Sequence, residues 1–234
     1  MLLKIDLHVH TCYSHDCATS LKDVLLFAKR NGLNGVAITD HDTIEGAIRL
    51  VEMGDTDGII VLPGIEVSTL QGHILGINLR TNIPSHQDIT ETVKMIHEAG
   101  GIAIAAHPSA IYKNGVGLRK NLISFGIDAI EVINSQAFPF SLLTYLNRRL
   151  ASKYSLPQTG GSDSHIPETI GLSYTLLGVD AKCADSDMIT DAIKNKLAIP
   201  FGRAAPLTLN IKKRLKRIKK EWLLMFARCD TSLC

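Results

Sequence analysis

LLKIDLHVHT, residues 2–11, is an apolar, β-branched run that ends on two histidines one residue apart. Side chains alternate faces along a strand, so His8 and His10 point the same way and can reach one metal ion. The arrangement recurs along the chain. GVAITDHD at 35–42 ends on His41, IIVLPGIEVS at 59–68 on Glu66, GIAIAAHPS at 101–109 on His107, and PQTGGSDSH at 157–165 on Asp163 and His165. Between these runs lie segments of helical period, over 20–31, 43–53, 85–100, 141–153 and 186–196. Strands that alternate with helices and are apolar on both faces indicate a parallel sheet, and 72–78 reads as a strand that returns on its predecessor. The polar residues fall at the C-terminal ends of successive strands. A doubly wound sheet would gather them at one switch point; a barrel rings them around one rim. The expected fold is α/β, a distorted TIM-like (β/α)7 barrel over residues 1–206 with a metal site at that rim. Residues 207–234 form a separate basic amphipathic helix, expected to pack on the barrel through its apolar stripe of Ile211, Leu215, Ile218, Trp222 and Met225.

Nine residues have metal-ligand chemistry at these positions: His8, His10, Asp16, His41, Glu66, His73, His107, Asp163 and His165. Six of the chain's nine histidines are among them. Imidazole with carboxylate suits zinc, manganese or iron, and several such centres together imply hydrolytic chemistry. Three divalent cations against three carboxylates leave the site positive, which suits a phosphate dianion.

The 234 residues carry a net charge of +2, unevenly spread. Residues 207–234 hold eight Lys/Arg against two Asp/Glu, which leaves the rest of the chain at −4. The body is therefore not read as a nucleic-acid binder, whereas the tail could contact nucleic acid or a partner. The five cysteines match no zinc-finger spacing and are read as reduced, with Cys12 and Cys17 as packing residues. With no signal-like h-region and no apolar run of the ~20 residues a membrane span needs, the expectation is a cytoplasmic protein.

The pieces DLHVHTCYSHD, AITDHDT, PGIEVSTLQGHILGI, AHP and GGSDSH, from Asp6 to His165, resemble the PHP (polymerase and histidinol phosphatase) family. The resemblance implies a distorted seven-stranded barrel and a trinuclear site. It places a first metal on His8, His10, Glu66 and Asp163, a second on Asp16, His41 and His165, and a third on Glu66, His73 and His107. It implies a metal-dependent phosphoesterase, read here as hydrolysing monoesters of nucleotides or other small metabolites by attack of a metal-bridging hydroxide. Histidinol phosphate hydrolysis, exonuclease action on short RNA or DNA, and a non-catalytic regulatory module are the alternatives. Asp40 and Asp163 are the candidate catalytic carboxylates, and Asp6 and Asp40 are expected to orient ligand imidazoles or bond water. Asn134, Arg119 and Arg203 are candidate substrate contacts, the two arginines as bidentate phosphate grips. His86 and His97 are read as surface or capping residues.

Overall fold

The computed structural model describes residues 2–117, 123–179 and 184–230, with residue 217 and residues 221–230 as backbone alone. Its strands are β1 (Leu3–Val9), β2 (Gly35–Ile38), β3 (Ile60–Thr69), β4 (Gly72–Ile77), β5 (Ile102–Ala105), β6 (Ala129–Asn134), β7 (Gln158–Gly161), β8 (Ser173–Leu177) and β9 (Ala198–Gly202). The helices are α1 (Leu21–Arg30), α2 (Glu45–Glu52), α3 (Ile89–Glu98), α4 (Phe140–Lys153), α5 (Ser186–Lys194) and α6 (Leu207–Asp230). Local sequence explains the helix starts: Ser20, Asp88 and Asp185 cap α1, α3 and α5 by accepting from Asp23, Thr90 and Met188 backbone N–H groups.

The strands form one curled sheet in the order β7-β6-β5-β4-β3-β2-β1-β8-β9. β1, β2 and β3 pair in parallel, as do β5, β6 and β7. β4 runs antiparallel to both β3 and β5, and β8 runs antiparallel to β1 and β9. This is a nearly closed, barrel-like α/β fold, but it is not the purely parallel sheet that alternation alone indicates. The physical reason for the β3–β4 reversal is chain length. Only Leu70 and Gln71 separate the paired Thr69 and Gly72, which is enough for a hairpin and far too little for a parallel crossover. The reversal also brings the start of β4, and therefore His73, to the rim where the parallel strands end.

Closure brings the end of β7 against β1. Asp163 N donates to His8 O over 2.8 Å, and Gly160 N donates to the Thr175 hydroxyl over 2.9 Å. Glycine is required at Gly161, because a Cβ there would collide with His8 Cβ and lie 3.0 Å from His8 N. The apolar core has two main parts. One joins Val36, Ile38, Ile65 and Ile74 to the inner faces of α1 to α4, and the other joins Leu3, Ile5, Leu62 and Ile104 to Ile189 and Ile193 of α5. Among the described residues no helix is long and apolar enough to cross a membrane.

Candidate metal centre

All nine sequence-selected donors lie at one rim of the sheet. His8 ends the polar side of β1, Glu66 sits in β3, His73 opens β4, and His41, His107, Asp163 and His165 occupy the loops that follow their strands. Asp163 and His107 adopt φ of 53° and 30°, in the left-handed region that ordinary side chains avoid. Such strain persists only where the surroundings hold it, and here both residues are pinned by backbone hydrogen bonds. Asp163 N bonds to His8 O, and His107 N donates to Glu131 Oε2 over 2.9 Å.

Glu66 is the hub. Its carboxylate meets His8 at 3.2 Å, His10 at 3.3 Å, His41 at 3.2 Å, His73 at 2.9 Å and His107 at 3.0 Å. Burial opposes its ionisation, but the imidazoles of His8, His41 and His73 outweigh that and hold its carboxyl well below the usual range. Asp163 Oδ1 lies 3.4 Å from His10 and 3.5 Å from His165, and Asp16 Oδ2 lies 3.0 Å from His165. Four triads of donors, each within 4.8 Å of one another, could hold metal: His8, His10 and Glu66; His10, His41 and His165; His8, His107 and Asp163; and His41, Glu66 and His73.

Two observations fit divalent cations. First, His8 Nδ1 faces Glu131 Oε1 at 3.0 Å and His10 Nδ1 faces the Ser14 hydroxyl at 3.1 Å. Those contacts place the proton of each neutral ring on Nδ1 and leave a lone pair on Nε2. Yet the two Nε2 atoms are 3.1 Å apart, so two lone pairs point at each other unless a cation stands between them. Second, Asp16 Oδ1 is buried with no hydrogen-bond partner among the described residues. Burial also holds His41 at a pKa of about 2 and His107 at about 4, the neutral state a metal requires.

The residues that orient this cluster were only partly visible in the sequence. Glu131, buried in β6, holds both His8 and the backbone of His107, and the Asn134 amide bridges Glu131 at 2.9 Å and Asp163 at 3.2 Å. The signal for Glu131 was a lone acid in the apolar run AIEVIN. Asn134 Oδ1 accepts from Gln136 N, so both ends of this amide are engaged within the protein rather than turned to substrate. Asp40 accepts from Thr11 N at 2.6 Å, from the Thr11 hydroxyl at 2.7 Å, and from the Ser14 hydroxyl that backs His10. It is fully buried and does not line the pocket, so the geometry makes it a positioning group, not a carboxylate facing a leaving group. Asp6 accepts from the backbones of His8, Ser162 and Gly171, not from an imidazole, and ties β1 to the loop that carries Asp163. Burial pushes its carboxyl up to about 6 despite these donors.

The donors open into a cavity of about 360 Å³ whose walls include His15, Tyr112, Lys113, Asn114 and Lys213. Lys113 forms an ion pair with Asp163, and burial followed by the charge of Lys213 pushes its pKa down to about 7. Neither lysine was singled out from sequence. Arg203, expected to grip phosphate, lies instead in a separate cleft with Lys4, Glu168 and Tyr174. The antiparallel β8–β9 pair carries it there, away from the rim. Arg119 lies outside the described residues. His86 is exposed, and His97 bonds to Asp128 at 2.7 Å on the far end of α3. Cys12 and Cys17 are free thiols, and Cys17 Sγ donates to the backbone carbonyls of His10 and His165.

The family model for the PHP domain matches residues 6–166, which include every donor described above. The chain belongs to the PHP domain family. A second model, described as PHP-associated, matches residues 145–196 of this PHP protein. An uncharacterized protein of Methanocaldococcus jannaschii is 35% identical over 143 residues, covering 57% of this chain and 82% of that one. The phosphoribosyl 1,2-cyclic phosphate 1,2-diphosphodiesterase of Eggerthella lenta is 36% identical over 86 residues, 34% of this chain and 32% of the enzyme. Among solved structures, a two-domain protein of Bacteroides vulgatus, described as containing a predicted PHP-like metal-dependent phosphoesterase, superposes with a TM-score of 0.73 at 18% identity, over 87% of this chain and 65% of that one. The PHP chain thus spans about a third of the diphosphodiesterase and two thirds of the Bacteroides protein.

Proposed function

We propose that this PHP-family hydrolase of phosphoric ester bonds cleaves phosphate monoesters of nucleotides or other small metabolites with three divalent metal ions. His8, His10, Glu66 and Asp163 would hold one, Asp16, His41 and His165 a second, and Glu66, His73 and His107 a third. Bound there, zinc, manganese or iron would supply Lewis acidity toward the phosphoryl oxygens and acidify a water to near neutral pH. The protein's own residues do the rest. Glu131 and the Ser14–Asp40 pair fix the tautomers of His8 and His10, so that their Nε2 atoms face the reacting centre. Asn134 holds Asp163 in its left-handed conformation. Lys113 and Lys213 present positive charge from the wall opposite the imidazoles, where phosphate oxygens would lie.

The observation that carries this reading is the pairing of a cluster of inward-facing nitrogen and oxygen donors with two lysines across one small cavity. That cavity has room for one phosphoryl group. Metal-loaded protein assayed on p-nitrophenyl phosphate and its bis ester tests it. The monoester should give the higher kcat/KM; the reverse order would make the protein a diesterase, the class that the Eggerthella relative's name states for that enzyme.

A further inference from the structure

The side chains of α6 are arranged opposite to what its amphipathic pattern suggests. Leu207, Ile211 and Leu215 are 72%, 62% and 63% exposed. The shielded positions are Leu209, Lys213, Lys216 and Lys220, spaced so that three lysines share the face turned to the barrel. Lys220 Nζ donates to the carbonyls of Cys12, Ser14 and Cys17 at 3.0, 2.6 and 2.6 Å, the loop that carries Asp16. Lys212 Nζ meets Glu168 at 2.7 Å. These anchors lay the middle of α6 across the rim, so that Lys213 enters the wall of the metal cavity.

Beside that cavity is a second, larger one of about 650 Å³, lined by Tyr112, Lys113, Gln136, Asn210, Lys213, Arg214 and Ile218. Tyr112, Lys113 and Lys213 line both, so the two cavities adjoin. The larger has the volume of a small-molecule pocket. It combines three cationic side chains with an exposed tyrosine ring, and the Tyr112 hydroxyl accepts from Phe138 N at 2.6 Å, which fixes the ring at one edge. No carboxylate lines it. A phosphate needs charged donors of this kind, and a ring face opposite an aliphatic side chain suits a planar base.

We propose that this cleft between α6 and the loop around Tyr112 is a leaving-group subsite for substrates that carry a second phosphate. The scissile phosphate would sit among the metal-site donors, the second phosphate on Lys213 and Arg214, and an attached base against Tyr112. The proposal rests on the monoesterase reading, since it names the class of monoester taken. It makes α6 a wall of the active site instead of an appendage.

The test compares 5′-phosphorylated dithymidylate with thymidine 5′-monophosphate on the metal-loaded, full-length protein, by phosphate release. Both present the same 5′ ester, and only the first has a phosphate in its leaving group. The dinucleotide should give a kcat/KM at least tenfold higher. Lys213→Ala and Arg214→Ala should each cut that ratio severalfold, while Lys213→Arg retains it. Dithymidylate lacking the 5′-phosphate should inhibit p-nitrophenyl phosphate hydrolysis competitively and more tightly than thymidine, with inhibition weakening as salt rises. A ratio near one, or a ratio unmoved by both alanine substitutions, overturns the subsite. Absence of phosphate release from all three esters would instead overturn the monoesterase reading.

Discussion

The rim of the barrel and the helix that crosses it solve opposite problems of charge. At the rim, three carboxylates and six imidazoles are buried in a small volume, and each is held by a named partner: Glu131 behind His8, Ser14 behind His10, Asn134 behind Asp163. On α6, lysines reach backbone carbonyls and one exposed acid, and the aliphatic side chains remain in solvent. Buried charge must be paired, so the rim is a network in which removing one member strands the others. Half-exposed lysines keep part of their water, so each contact of α6 is worth little by itself. The two regions should therefore respond very differently to substitution.

The largest effect belongs to Glu66, which touches five imidazoles. Glu66→Gln should lower metal content by more than one ion per chain and reduce phosphatase kcat by well over ~100-fold, beyond the ~10–100-fold typical of groups that only orient a ligand. His73→Ala should lose at most one ion. Elemental analysis of both variants checks this, and equal losses would break the picture of Glu66 as the shared hub.

Glu131→Gln is the next step down. It leaves every direct donor in place and should weaken metal affinity ~10–100-fold. It should also change the pH dependence. Burial opposes a proton on His8, but Glu131 and Glu66 outweigh burial and hold its pKa up at about 10. The metal-free protein therefore keeps that proton at neutral pH and must release it on binding. Affinity should rise with pH, by about tenfold per unit below that pKa for one displaced proton, and flatten above it. Competition titrations across several pH values would show the slope, and Glu131→Gln should flatten it over the upper part of the range. A wild-type affinity independent of pH would contradict the assignment of Glu131.

The smallest effect should come from removing residues 207–234. Had the apolar stripe docked on the barrel, its loss would cost several kcal/mol at about 25 cal/mol per Å² of buried apolar area. With Ile211 and Leu215 exposed, mainly ion pairs and carbonyl contacts are lost, on the order of 1 kcal/mol, or about 2–4 °C in Tm. Thermal melts of the truncated and full-length proteins decide it. A drop well beyond this would mean that the stripe is buried after all and that the contrast between the regions is false.

Some of this was present in the sequence for a clear reason. Period-two alternation puts His8 and His10 on one side of β1 whatever the rest of the chain does. Short apolar runs ending on polar residues put His41, Glu66, His107 and Asp163 at strand ends, and two residues between 69 and 72 force a hairpin. The family motifs rest on those same local patterns. What pairing across the fold supplies was not legible. Glu131 lies 123 positions from His8, and its role depends on β6 and β7 closing against β1. Arg203 ends a strand like the site residues do, yet the antiparallel β8–β9 pair turns it to another cleft. Periodicity gave α6 an apolar face and a basic one but could not say which would meet the barrel. That was decided by what the rim offers: exposed carbonyls of residues 12–17 and Glu168 accept hydrogen bonds from ammonium groups and give nothing to a leucine.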